Sequence, residues 1–293
     1  LPGIQPEGGP WLRVDDAYAA QMARRIALVE GRADDVLYLD PEALPAAQEL
    51  LEAALEASVD LGFTRSGDVV TCPDGRKVDV SSIPPLEALG RIFQNDFVLM
   101  ERRGDQHVLT GAVLCFPASW RLSETAGRPL TDIHIPVEEY TDDLARRVQR
   151  LFDGIQVGRP LWRFNQLWYQ DPELYQPRSA AEPRRVGSGL KEGPYYRTER
   201  QTRLRLPNSK AVVFAINRDP GIAILSLRVT EVINNSVGDP GMVCQIVFRG
   251  PKRDNFAGWC VPVLKNETGN QNMRARKTEI GLTSDENLAR LLC

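Results

Sequence analysis

Near the start of the chain, apolar residues recur twice at helical spacing. After Asp15 and Asp16, the residues Tyr18, Met22, Ile26 and Val29 fall on one face of a helix that Gly31 stops. The acidic pair suits the positive end of that helix. A second helix is expected over Pro41 to Val59, because PEALPAAQELLEAALEAS is rich in Ala, Leu and Glu.

After Gly62 the period changes. Short strands at Asp68 to Thr71 and Lys77 to Val80 flank Pro73-Asp74-Gly75, a turn whose Gly tolerates positive φ. FVLMERR (Phe97 to Arg103) and HVLTGAVLCF (His107 to Phe116), joined by Gly104-Asp105, read as a hairpin and give the strongest sheet signal in the chain. RLSETAGRPLTDIH is short helical or irregular structure. In VEEYTDDLARRVQRLFDG the helical spacing returns at Tyr140, Leu144, Val148, Leu151 and Phe152, with Gly154 as the stop. RPLWRFNQLWY, TRLRL and AVVFAI (Ala211 to Ile216) read as strands. The loop from Asp171 to Pro194 carries Pro, Gly, Arg and Ser and reads as exposed and mobile. Beyond Pro220, ILSLRV and MVCQIVF are strand-like, and the remaining tail shows little periodicity until its last helical turns. This order is α+β, with no regular βαβ alternation.

Composition narrows the chemistry. The 293 residues carry 36 Lys+Arg against 39 Asp+Glu, a formal charge of -3, and the basic footprint of a nucleic-acid binder is missing. No apolar run is long enough for a membrane span, and no secretory signal is recognisable, so a cytoplasmic protein is expected. There are 2 His and 5 Cys. The cysteines are far apart, without CxxC or HxxxH spacing, which argues against a structural zinc site and favours free thiols.

Individual motifs carry little alone. GSGLKEG (Gly187 to Gly193) has the wrong spacing and context for a dinucleotide loop, and there is no Walker loop and no GxSxG elbow. Asn234 and Asn266 sit in common glycosylation triplets. Cys115, inside an apolar strand, reads as a small buried hydrophobe, with a haem thiolate as its alternative. His134, ending TDIHIP, reads as structural or as a metal ligand, and His107, at a hairpin tip, reads as solvent-exposed. Alternation along LWRFNQLWY puts Trp162, Phe164, Gln166 and Trp168 on one face, and Arg163, Asn165, Leu167 and Tyr169 on the other. One face could lie against a flat cofactor. Arg200, Arg203 and Arg205 in ERQTRLRLP could meet carboxylates, although alone the segment reads as a solvated charged strand.

Taken as an ordered set, PWLRVDDAY, VLCFPASWRLSETAGRPLTDIHIPV, GRPLWRFN and ERQTRLRLPNSKAVVFAI resemble the haem-dependent oxidative N-demethylases, the family of the dimethylamine monooxygenase haem subunit. The likeness runs from about Gly3 to Ile216. It implies a PAS-like antiparallel sheet with flanking helices and an N-terminal helical extension, binding haem b. It also implies a small secondary methylamine and O₂ as substrates, formaldehyde as a product, and a separate reductase subunit supplying electrons through NADPH, FMN and an iron–sulfur centre. His134 matches the histidine of the family's IH-x-PV run and becomes the expected axial ligand, with His107 as the alternative. Arg200 and Arg205 become candidate propionate or pocket cations, and Trp162 and Asn165 candidate pocket-lining groups. Gln166 departs from the family, which often has a second Trp there. The sequence after Ile216 departs more strongly. The expected division is a helical extension over 1–60, a haem-binding core over 61–220 and a divergent region over 221–293. A haem-PAS sensor or catalytically idle relative, and a cofactor-free interaction protein, are the rival readings.

Overall fold

Two layers of helices sandwich a seven-stranded antiparallel sheet. The computed structural model describes residues 4–118, 120–133, 142–169, 173–179, 182, 195–219, 225–230, 243–249 and 256–262. In chain order come β1 (Gln5–Pro6), α1 (Tyr18–Gly31), α2 (Ala33–Val36), β2 (Leu37–Leu39) and α3 (Leu44–Ala57). A small meander follows, β3 (Thr64–Ser66), β4 (Val69–Thr71) and β5 (Lys77–Asp79), then α4 (Pro85–Ile92), β6 (Asp96–Arg103) and β7 (Gln106–Val113). Helices α5 (Leu122–Thr125), α6 (Leu130–Ile133) and α7 (Asp142–Gly154) lead to β8 (Leu161–Tyr169), β9 (Tyr195–Arg205) and β10 (Val212–Asp219).

The sheet order is β1-β8-β9-β10-β6-β7-β2. Its edge strands are only two and three residues long, which limits the unpaired backbone open to another chain. The hairpin β6–β7 turns at Gly104, whose φ is 65°, as its sequence signals. Strand β10 pairs with both β6 and β9, so a strand late in sequence closes back on the first hairpin.

Alternation divides the buried residues between two cores. The back face presents Phe97, Leu99, Val113, Val213 and Ala215 to Met22, Leu50, Ala54 and Leu89 of α1, α3 and α4. The front face presents Val98, Met100, Leu109, Ala112 and Val212 to Leu122, Leu130, Val148 and Phe152 of α5, α6 and α7. On the back, Gly90 of α4 lies so close to β7 that an added Cβ would stand 2.7 Å from Val113 Cγ2.

Several elements differ from the sequence expectation. Helix α4 is new, because PLEALGRI is short and its first residue, Pro85, follows Pro84, a pair that reads equally as a breaker. From the loop expected to be exposed, residues 173–179 are described, and Leu174 and Tyr175 pack on the back core; the segment GSGLKEG lies outside the described residues. Asn234 and Asn266 also lie outside them. The second compact unit takes residues 167–172, 187–197 and 221–293. It contains the antiparallel sheet β11 (Leu225–Thr230), β12 (Val243–Arg249) and β13 (Phe256–Pro262). Strand β13 was not expected from the unpatterned tail. Among the described residues, no helix is long and apolar enough to cross a membrane.

Candidate functional site

Strand β9 carries Arg197, Glu199, Arg200, Arg203 and Arg205, and it is not a solvated strand. Glu199, Arg200 and Arg203 are all buried, because β8 and β10 flank the strand on both sides. Each charge therefore needs a partner or pays for desolvation.

On the back face Arg200 has such a partner. Its guanidinium pairs with Glu7, whose side chain is equally buried, and lies 3.9 Å from the centre of the Trp162 ring and 5.8 Å from that of Phe164. The two rings meet edge to face at 5.0 Å. Burial, and then Arg13, pull the Arg200 pKa down against the Glu7 hydrogen bond. The Trp162 and Phe164 part of the expected aromatic face is thus clamped around an arginine. The side chains of Gln166 and Trp168 lie outside the described residues.

The front face is arranged differently. Arg203 lies 4.6 Å from the Phe214 ring, its register partner on β10. Its Nη2 donates to Gln201 Oε1 at 3.3 Å, and Arg163 Nε donates to the same oxygen at 2.9 Å. Arg203 is 5% exposed, yet its Nε and Nη1 have no acceptor among the described residues. Burial pushes its pKa down to about 9, and the neighbouring Arg163 pushes the same way. Burial also lowers Arg163. Asn165 shares this face by alternation and is half-buried. Arg205 donates to the carbonyls of Ile155 (2.6 Å), Lys210 (2.6 Å) and Phe152, and so ties the end of α7 to the sheet. The four candidates other than His134 fall on opposite faces: Arg200 and Trp162 at the back, Arg205 and Asn165 at the front.

From Gln201 a polar chain runs to the end of the sheet. Gln201 Nε2 donates to Glu199 Oε2 at 3.3 Å, Glu199 pairs with Arg218, and Arg218 reaches Asp96 at 3.5 Å. Asp96 pairs with Arg25 at 2.6 Å, both side chains fully buried. It also accepts the backbone N–H groups of Cys115 and Phe116 at 2.7 and 3.0 Å. Cys115 is the buried thiol its strand implied, and burial pushes its pKa up to about 12.

His134 lies outside the described residues. The chain before it ends at Ile133, packed with Leu130 on the front core, and after it α7 returns to that core through Val148 and Phe152. The expectation for His107 is corrected. It is 1% exposed, because α7 lies over this end of β7 and Phe152 meets the imidazole with ring centres 5.2 Å apart. Gln149 Oε1 accepts the His107 backbone N–H at 3.4 Å while its Nε2 meets Nδ1 at 2.6 Å. Which of the two nitrogens donates in that contact depends on the imidazole tautomer. Burial holds the pKa below its usual value, against the Gln149 hydrogen bond. A base depressed in the folded state takes up its proton later than in the unfolded chain. Stability is therefore lost as pH falls through the unfolded value of about 6.5 toward the folded one. Urea midpoints between about pH 7 and about pH 5 should fall more steeply for the parent protein than for His107→Gln; equal slopes would contradict this setting for the imidazole.

The fold and site define a class: an α+β protein whose sheet carries, on its front face, apolar surface and one buried guanidinium, that of Arg203, with donors unmatched among the described residues. The chain belongs to the family described as haem-dependent oxidative N-demethylase, alpha subunit-like, whose family model matches residues 4–218. The match stops at the end of β10, where the sequence resemblance also fades. No curated protein matches the chain.

Proposed function

We propose that this protein is a haem-dependent monooxygenase that oxidatively demethylates a small secondary methylamine and releases formaldehyde. The observation that carries the reading is the family match across the whole first unit's sheet. The order of events in that sheet supports a PAS-like core: a hairpin, then three helices, then three strands of which the last pairs with the first strand of the hairpin.

The residues present fit a flat, apolar, dicarboxylate cofactor. The front face combines Val98, Met100 and Phe214 with an arginine that has buried, unmatched donors, which is chemistry an anionic edge would satisfy. His134 is the proposed axial ligand of haem b, and the front-core packing on both sides of residues 134–141 supports that choice. When bound, haem supplies O₂ activation and oxidation of the methyl carbon. The apolar side chains of the front face exclude water from the reacting region. His107, neutral and held by Gln149, adds no charge there. Electrons come from a reductase subunit using NADPH, FMN and an iron–sulfur centre.

Purified protein supplied with haem, such a reductase and dimethylamine should consume NADPH and O₂ and release formaldehyde. A haem-loaded protein that gives no formaldehyde with any small methylamine would overturn the demethylase reading and leave a haem sensor.

A further inference from the structure

Arg163 and Arg203 hold two positive groups on one neutral oxygen. In proteins, neighbouring buried guanidinium groups are ordinarily bridged by a carboxylate or other anion, because each unpaired buried charge costs several kcal/mol. Here the bridging atom is Gln201 Oε1, and Arg203 Nε and Nη1 have no acceptor among the described residues. Glu199 is the nearest carboxylate along the strand. It pairs with Arg218 and receives the other end of the Gln201 amide, so among the described residues no carboxylate is left to pair with either arginine.

We propose that Arg163 and Arg203 form a carboxylate-binding site on the front face of the sheet, with Gln201 setting their spacing. Three features select a carboxylate. The Arg203 guanidinium carbon lies 4.6 Å from the centre of the Phe214 ring, and Nε, Nη1 and the second Nη2 proton remain as donors, so a carboxylate pairs bidentately by using Nη2 with either of the other two. The setting is apolar on the Phe214 side and deeply buried, so a single delocalised charge is cheaper to desolvate than a phosphate dianion. The depressed Arg203 pKa is the expected mark of a cation awaiting its counter-charge. Arg200 and Arg205 do not serve this role, since one is paired with Glu7 and the other is spent on three carbonyls.

Two ligands bring a carboxylate to this site: the propionate arm of a porphyrin, which rests on the haem reading above, and a small methylamine that itself bears a carboxylate, which does not. Spectroscopic titration with haem and with haem dimethyl ester, and thermal melting of the apoprotein with N,N-dimethylglycine or dimethylamine, separate them. If the propionate is the ligand, the parent protein binds haem at least about 30-fold tighter than the ester, and Arg203→Leu binds both alike. If the small carboxylate is the ligand, dimethylglycine but not dimethylamine raises the apoprotein melting temperature, and Arg203→Leu loses that rise.

Gln201→Glu guards against a variant that simply misfolds. It delivers a carboxylate to both arginines within the chain and should raise the melting temperature while erasing either preference. Failure to bind either porphyrin removes the haem reading and the propionate source with it, while the dimethylglycine arm still decides the site. Unchanged ester discrimination in Arg203→Leu, together with no dimethylglycine effect in the parent, overturns the proposal.

Discussion

Asp96→Ala should cost about 3–5 kcal/mol of folding stability, a large share of the roughly 5–15 kcal/mol that holds a typical domain together. Asp96 accepts from Arg25 and two backbone N–H groups and lies within ion-pair distance of Arg218, all buried. Removing it leaves the fully buried Arg25 guanidinium without its counter-charge but with its desolvation penalty, and leaves Arg218 to Glu199. Among the described residues Arg25 then keeps carbonyl acceptors alone, Asn95 O at 2.8 Å and Gly90 O at 3.4 Å. The effect should reach Arg218 and, through it, Glu199 and Gln201, so the arginine pair on the front face loosens as well. Urea denaturation measures the cost, and a loss below about 1 kcal/mol would show that the network is not stabilising. A double variant, Asp96→Leu with Arg25→Met, should recover much of it, because replacing both members of a buried pair avoids the orphaned charge.

The sheet's hairpin was legible because Gly104-Asp105 is a turn signal between two apolar runs, and the early helices because their apolar spacing is regular. Helix α4 was not, because eight residues offer barely two turns of periodicity behind two prolines. The candidate site was legible only in part. Charge density drew attention to Arg200 and Arg205, whereas the face each occupies depends on strand parity, and the link between Arg163 and Arg203 depends on the pairing of β8 with β9. The residue number alone separates Arg200 from Arg203, but nothing local says which side is buried. His107 was misjudged because a hairpin tip predicts exposure only if no helix crosses it, and α7 does, bringing Phe152 and Gln149 onto the ring. The alternation of His107 with Leu109 was the available signal, since Leu109 belongs to the front core.

His134→Ala is expected to weaken haem binding by at least about 100-fold, since even groups one shell out from a metal are commonly worth 10–100-fold. The two histidines make this a sharp comparison. His107 has its Nδ1 engaged by Gln149 and its ring against Phe152, so His107→Gln should keep the haem and shift only the pH dependence of folding. Loss of haem in His107→Gln with retention in His134→Ala would reverse the ligand assignment while leaving a haem protein.

The absorption spectrum of the full chain, produced with a haem precursor and purified alongside these two variants, tests the central claim most directly. A Soret band is expected in the parent and in His107→Gln and is absent from His134→Ala. A parent protein with no Soret band, even after reconstitution with excess haem, would contradict it.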